Sequence, residues 1–187
     1  STDAGETWQN MGLEKTGRIG RTIVHPRDPD TVFACAVGTA YGPQKERGIF
    51  KTTNGGKTWD HVLFVDEDTG CSGLAMDPNN PNIMFAGMWS IVIKTWGKFS
   101  GGPGGGIYVS RDGGDTWDKI EGHGLPEFEV GKVDVAIAPS NSKRVYALIE
   151  TGDRGSLWRS RTVTAVSVIA TPVLYTGALA LGHQVLP

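Results

Sequence analysis

The sequence predicts an all-β protein built from repeated four-stranded antiparallel sheets, and three observations lead to that prediction. The 187 residues include 27 glycines and 10 prolines, a composition typical of short strands joined by tight turns. A turn-like octet occurs at residues 1–8, 52–59 and 110–117. Two further signals, described below, recur with the same phase. Repetition at this spacing indicates one small sheet per repeat.

Each octet has the composition of a hairpin turn. An Asp or Asn at its third position can accept hydrogen bonds from the N–H groups of the turn. Glycine at its fifth position supplies the positive φ that the turn requires, and Thr and Trp then begin the next strand. The residues at the Asp, Gly and Trp positions are Asp3, Gly5 and Trp8, then Asn54, Gly56 and Trp59, then Asp112, Gly114 and Trp117.

The other two signals place the remaining strands. A turn rich in Pro, Asn and Asp recurs at residues 25–30, 77–82 and 138–143, each time between apolar runs. A short apolar run also precedes the octets, and its last copy is at 156–159. The predicted strands are 19–24, 32–36, 48–52 and 59–62 in the first sheet, 72–76, 83–86, 107–110 and 117–120 in the second, and 133–137, 145–149 and 157–160 in the third.

The octet resembles the Asp-box, or BNR, repeat, whose pattern is Ser-x-Asp-x-Gly-x-Thr-Trp. That family includes sialidases, sortilin-type receptor domains and xyloglucanase-like hydrolases, all of them β-propellers. Residues 17–21 and 64–70 look most like those of bacterial sortilin-like or "glycosyl hydrolase" BNR repeat proteins. The resemblance covers roughly residues 1–160. It implies propeller blades at about 14–63, 64–121 and 129–161 within a 1–161 domain, and an exported parent protein.

Both ends of the chain depart from the repeat pattern. Residue 1 falls inside an Asp box, and residues 162–187 contain no Asp, Glu, Lys or Arg. A membrane span needs about 20 apolar residues, and Pro172, Gly177 and the threonines of this tail make a poor one. We expect residues 162–168 to replace the missing outer strand. For the tail's origin we favour a repeat array that was cut or read out of frame.

Fewer than three complete blades cannot close a propeller, which normally has about four to eight. An open array would leave unpaired strand edges, which favour association. We therefore expect a homodimer that closes a six-bladed ring.

Composition narrows the possible partners. Lys plus Arg number 18 and Asp plus Glu 20, so no basic nucleic-acid-binding footprint exists. Cys35 and Cys71 are the two cysteines, too few for a disulfide framework or a Cys-based zinc site, and the redox compartment stays open.

Long loops at 37–47, 64–71, 87–105 and 121–131 fall on one end of the sheets and are where a ligand is expected. Their aromatic side chains could stack on sugar rings or clamp a peptide, and their cations could bind anionic groups. Instead of binding a ligand, the aromatic side chains could pack between blades, and the cations could form ion pairs between blades. The ligand-binding candidates are Tyr41, Trp89, Lys94 and Trp96, together with Arg18 and Arg21 at the start of an innermost strand.

The acidic run Asp66, Glu67 and Asp68 could ligate Ca²⁺, although it lacks the spacing of an EF-hand, and a solvated acidic turn is the alternative. No motif requires a cofactor. The candidate catalytic carboxylates are a pair, with one member from Asp66 or Glu67 and the other from Glu46 or Glu129.

The expected function is a glycan- or peptide-binding module. The alternative is a hydrolase, either a glycosidase by family resemblance or a Ca²⁺-assisted lactonase or esterase by analogy with other propellers. The arginine triad and tyrosine nucleophile of sialidases find no match around Tyr41, Tyr108 or Tyr146.

Overall fold

The computed structural model describes residues 1, 3–152 and 155–160, and in this part of the chain it contains strands and no helix. No helix there could therefore span a membrane. The strand expected at 162–168 lies outside the described residues. The twelve strands are β1 Ile19–His25, β2 Asp28–Ala36, β3 Gly48–Thr52, β4 Asp60–Leu63, β5 Thr69–Met76, β6 Met84–Lys94, β7 Gly97–Ser100, β8 Gly106–Ser110, β9 Asp118–Ile120, β10 Val133–Ile137, β11 Val145–Glu150 and β12 Gly155–Arg159.

These strands form three antiparallel sheets, which confirms the predicted all-β class. The first sheet has the order β1-β2-β3-β4 and the second β5-β6-β8-β9, with β7 paired to β6. The third has the order β10-β11-β12. Each is an up-and-down meander of the kind that makes a propeller blade. Closure of a ring by a second copy stays a prediction.

One expected loop is a hairpin in the structure. Residues 87–105 were expected to be irregular, but β6 continues to Lys94 and turns back into β7. The physical reason is the run from Trp89 to Ile93, whose aromatic and β-branched residues favour extended backbone.

The first strands of the three sheets lie side by side, because β5 packs against both β1 and β10. Glycines permit this close approach. A Cβ atom added at Gly73 would collide with Asp134, and one added at Gly87 would collide with the carbonyl oxygen of Val133. The sheets therefore meet main chain to main chain at their inner strands.

Strand β6 shares its side chains between two cores. Met84 and Met88 pack into a cluster with residues of the first sheet, including Phe33. Phe85 points the other way, into a cluster that includes Val133 of the third sheet. This alternation follows from the two-residue period of a strand.

A disulfide joins the first and second sheets. Cys35 in β2 and Cys71 in β5 are bonded across a sequence separation of 36 residues. A single bridge is consistent with the exclusion of a disulfide framework, but the sequence did not reveal that the two cysteines meet. Disulfides of this kind are typical of proteins in oxidising compartments.

The third octet shows how an Asp box closes its turn. Asp112 Oδ1 accepts the N–H of Thr116 at 3.0 Å, and Asp112 Oδ2 accepts the Thr116 hydroxyl. Ser110 Oγ accepts the N–H of Gly114 at 2.8 Å. Trp117 Nε1 then donates to the Gly114 carbonyl at 3.1 Å, so the indole covers the turn.

The other two octets form the same turn with small differences. Asp3 and Asn54 each accept the N–H of the threonine four residues later at 3.0 Å. The indole of Trp8, although the residue is 81% exposed, donates to a carbonyl within its own turn at 3.0 Å, whereas that of Trp59 donates to the carbonyl of Met11. An asparagine therefore satisfies the same backbone donor as the aspartates.

The aspartates differ from Asn54 because they titrate. The hydroxyl of Thr116 is the largest influence that holds the pKa of Asp112 well below its ordinary 3.8, and the hydroxyl of Thr7 does the same for Asp3. A carboxyl whose folded-state pKa is lowered stabilises the fold fully above its unfolded pKa. That contribution is lost as the pH falls below 3.8 towards the folded-state pKa.

We expect Asp112→Asn to weaken the acid dependence of stability, because an amide does not titrate. The free energy of unfolding of the parent should fall more steeply between pH 5 and pH 2 than that of the variant, measured by urea unfolding at each pH. The matched control is Asn54→Asp, which should make the acid dependence steeper. Equal slopes for all three proteins would contradict this account of the turn.

Candidate functional site

The loops that connect second to third strands, and one sheet to the next, lie at the end of the sheets opposite the Asp-box turns. Main-chain hydrogen bonds join them. The N–H of Gln44 donates to the carbonyl of Glu67 at 2.9 Å, and the N–H of Ile91 donates to the carbonyl of Asp68 at 3.0 Å. This end, which we call the loop face, is therefore one connected surface.

A buried arginine ties the loop face together. Arg47 has no exposed surface. Its Nη1 donates to the carbonyl oxygens of Asp68 and Ile91 at 2.6 and 3.2 Å. Its Nη2 donates to those of Thr39 and Gly42 at 2.5 and 3.1 Å. One guanidinium thus holds the 37–47 loop, the link between the first two sheets, and strand β6.

The charge of Arg47 is balanced by carbonyl dipoles. Within the described ranges no carboxylate forms an ion pair with it, and burial lowers the pKa of its guanidinium, while Asp68 and Asp66 act in the opposite direction. Arginine nevertheless stays protonated. Sequence reasoning missed this residue, whose only signal is a charged side chain directly before the apolar strand β3.

A first cleft on the loop face has a volume of about 260 Å³. One wall is the acidic run Asp66, Glu67 and Asp68, the floor is residues 90–92 of β6, and the other wall is Phe99 with residues 101–103. We call it the acidic cleft. Phe99 is 41% exposed.

A second cleft of about 510 Å³ lies beside it. Glu121, Glu127, Phe128 and Glu129 line this glutamate cleft, together with residues of β8 and β9. Phe128 is 61% exposed. Both clefts share Gly102 and Pro103 as lining residues, so they adjoin along one ridge.

The ridge between the clefts has no room for side chains. A Cβ atom at Gly102 would lie 2.8 Å from that of Ser90, and one at Gly104 would collide with Thr69 and Asp66. Tyr108 donates its hydroxyl to the Gly104 carbonyl at 3.1 Å, and burial raises the pKa of this tyrosine to about 12. The glycine-rich segment is therefore a fixed wall.

The structure divides the ligand-binding candidates between different places. Tyr41 and Trp96 are 66% and 80% exposed, so neither fills space between blades. The guanidinium of Arg18 lies 5.7 Å from the ring centre of Tyr41. Lys94 is exposed beside Trp96 at the hairpin tip, and Arg21 is exposed on β1. Trp89 lies elsewhere, in a cleft at the junction of the second and third sheets.

The candidate carboxylates also separate. Asp66 and Glu67 line the acidic cleft, whereas Glu46 is half-buried and lines neither cleft of the loop face. Glu129 lines the neighbouring glutamate cleft. Sequence reasoning missed Phe99 and Phe128 as neighbours of these carboxylates, because their proximity depends on the hairpin β6–β7 and the 121–132 loop.

A metal site is not assembled in the described ranges, where no group of three or more His, Cys, Asp and Glu side chains is placed to hold an ion. Asp66 Oδ1 instead accepts the N–H of Asp68 at 2.8 Å. The calcium site at Asp66, Glu67 and Asp68 stays a prediction.

Comparison with known families identifies the repeat. The model of the BNR/Asp-box repeat matches residues 108–119, which contain the end of β8, the third octet and the start of β9. The chain therefore contains a BNR/Asp-box repeat within sheets arranged as β-propeller blades. The family resemblance drawn from the octets is confirmed.

Curated relatives of this Asp-box protein are glycosidases by name. A xyloglucanase of a Paenibacillus species is 27% identical over 201 residues, which cover 92% of this chain and 18% of the relative. An oligoxyloglucan-reducing end-specific xyloglucanase of Emericella nidulans is 24% identical over 155 residues, which cover 76% of this chain and 16% of the relative. The chain spans less than a fifth of the length of either enzyme.

Solved structures show the same fold. An ancestral GH74 enzyme aligns with a TM-score of 0.62 and 22% identity, covering 88% of this chain and 20% of that one. YCF48 from Cyanidioschyzon merolae aligns with a TM-score of 0.54 and 15% identity, covering 87% of this chain and 42% of that one. The likeness establishes the architecture of the Asp-box protein and not its activity.

We expect Arg47→Met to destabilise the Asp-box protein by about 3 kcal/mol, because the carbonyl groups it binds would be left buried without donors. The stability of Arg47→Lys should lie between those of Arg47→Met and the parent, since an ammonium group retains three donors. Urea unfolding measures the loss, and limited proteolysis should show faster cleavage within residues 37–46. Arg144→Met, at an exposed arginine, is the control and should behave like the parent. A methionine variant as stable as the parent would refute the role given to Arg47.

Proposed function

We propose that this chain contributes a glycan-binding face to a β-propeller, and that the face takes a neutral β-glucan of the xyloglucan class. The observation that carries the proposal is the continuity of the acidic and glutamate clefts. They adjoin at Gly102 and Pro103, and each presents an exposed phenylalanine, Phe99 in one and Phe128 in the other. We call the combined feature the groove.

The chemistry of the groove suits a sugar chain. A pyranose ring has an apolar face of C–H bonds, which packs on an aromatic ring, and a rim of hydroxyl donors. Phe99 and Phe128 supply the rings, and the carboxylates of Asp66, Glu67 and Glu129 supply charged acceptors for hydroxyl groups. An acidic peptide would be repelled by the same carboxylates.

Rigid walls favour binding because less order has to be created when the ligand arrives. The buried guanidinium of Arg47 fixes the carbonyl of Asp68 behind the acidic wall. The opposite wall is the glycine-rich segment, held by the Tyr108 hydroxyl. The names of the curated relatives provide independent support for a glucan ligand.

We expect Phe99→Ala to weaken binding of a xyloglucan oligosaccharide about tenfold, a loss of about 1.4 kcal/mol. Phe128→Ala should have a similar effect if the sugar chain occupies both clefts. Isothermal titration calorimetry with the full chain measures both dissociation constants. Trp8→Ala is the matched control, since Trp8 is exposed on the Asp-box end and its loss should leave the dissociation constant unchanged. Equal affinity of all four proteins, or no binding to the parent, would exclude the groove as the site.

A hydrolase is the alternative, and a specific observation favours it: Asp66 and Glu67 line the groove, and the relatives are named xyloglucanases. Glycosidases need two carboxyl groups across the scissile bond, about 5–5.5 Å apart for retention or 6.5–9.5 Å apart for inversion. A further blade, or a second copy of the chain, could supply the second carboxyl group of a composite site.

The hydrolase alternative predicts that the chain releases reducing ends from xyloglucan and that Asp66→Asn or Glu67→Gln lowers the rate at least a hundredfold. The control is Asp60→Asn, which removes an exposed carboxylate next to an Asp box. Tight binding of xyloglucan without any release of reducing ends would support the binding function and contradict the hydrolase alternative.

A further inference from the structure

A third cleft, of about 360 Å³, lies at the junction of the second and third sheets. We call it the Trp89 cleft, and apart from Ile149 it shares no lining residue with the groove. Its volume is in the range of small-molecule sites. The side chains that characterise it are Trp89, Lys98, Lys132, Asp134, Leu148 and Glu150.

The indole of Trp89 is held in place by a chain of hydrogen bonds. Its Nε1 donates to Ser100 Oγ at 2.9 Å, and Ser100 Oγ donates to Glu150 Oε2 at 2.7 Å. The same Glu150 oxygen accepts the N–H of Lys132 at 2.8 Å. Gly131 makes this possible, because a Cβ atom there would collide with the Glu150 carboxylate. The polar edge of the indole is thus satisfied, and its faces are what it can offer a ligand.

Two ammonium groups converge on that indole from different sheets. Lys98 Nζ lies 5.1 Å from the ring centre, and Lys132 Nζ lies 5.9 Å from it. Lys98 belongs to β7 and Lys132 directly precedes β10. In the described ranges neither ammonium forms an ion pair with a carboxylate.

The carboxylates of the cleft are occupied by backbone and hydroxyl donors. Glu150 holds Ser100 and the N–H of Lys132, and Asp134 Oδ1 accepts the N–H of Val135 at 2.9 Å. Contacts between an ammonium group and an aromatic face are weak at exposed sites. Each lysine can therefore exchange the ring face for a ligand anion without breaking a strong bond.

We propose that the Trp89 cleft binds a sugar residue that carries a carboxylate, a uronate. Its pyranose face would pack on the indole, and its carboxylate would bind between the ammonium groups of Lys98 and Lys132. This inference goes beyond the neutral glucan proposed for the groove, and it depends on different residues. A polysaccharide with both neutral and acidic sugars would engage both sites.

The test titrates the full chain with trigalacturonate and, separately, with cellotriose, by calorimetry at low salt. Trigalacturonate should bind, and Lys98→Gln combined with Lys132→Gln should weaken it at least tenfold. Trp89→Leu should weaken it as well. Because both lysines are exposed, the lysine variant should unfold at the same urea concentration as the parent. Raising the salt to 0.5 M should also weaken the binding, since the attraction is between exposed charges.

Two controls separate this site from the groove. Lys143→Gln removes one exposed lysine at the opposite end of the sheets and should leave the trigalacturonate dissociation constant unchanged. Phe99→Ala should also leave it unchanged, although it weakens xyloglucan binding. No binding of trigalacturonate, or binding that survives the double lysine substitution, overturns the proposal. Loss of trigalacturonate binding in Phe99→Ala overturns it too, because the ligand would then be in the groove.

Discussion

The structure depends on the close approach of its inner strands. Where β5 and β6 pass β10, and where β5 passes the first sheet, no Cβ atom fits at Gly70, Gly73 or Gly87. Contact between main chains fixes the spacing between sheets more tightly than contact between side chains does, because side chains can change rotamer. With the inner strands fixed, the larger side chains of β2, β6, β8 and β11 fill the space between sheets farther out. The loops of all three sheets are thereby brought to one end.

Two cross-links of different chemistry then join the first sheet to the second. The disulfide between Cys35 and Cys71 is covalent and fully buried in the core between them. Arg47 acts at the loop face through four carbonyl groups from three segments of chain. A buried cation without a carboxylate partner is stable only when its donors meet such fixed dipoles. The hydrogen bond from Arg47 to the carbonyl of Asp68 therefore both joins the loops of the loop face and fixes the acidic wall of the groove.

The strands could be predicted from the sequence, but the contacts between them could not. Repetition located every blade strand, because the Asp-box turns and the turns rich in Pro, Asn and Asp are local features. It ended the second strand of the second sheet at residue 86, however, whereas β6 continues to Lys94. The β6–β7 hairpin was missed because its turn at Thr95 and Trp96 carries no glycine or asparagine signal before Gly97. Asp66 was found as a candidate from composition alone. Its proximity to Phe99 was not predicted, because the two residues are 33 positions apart in the chain and only the hairpin brings them together.

The short strand β7 shows how one element can serve two sites. Lys98 and Ser100 project to the side of Trp89, where one ammonium group approaches the indole and the hydroxyl accepts its N–H. Phe99, between them, projects into the acidic cleft. The period of two along a strand makes this division unavoidable once Val92 pairs with Phe99. A shift of that register by one residue would exchange the faces, placing an ammonium group among the carboxylates and a phenyl ring against the indole. The pairing of β6 with β7 therefore determines which side chains line each of the two proposed sites.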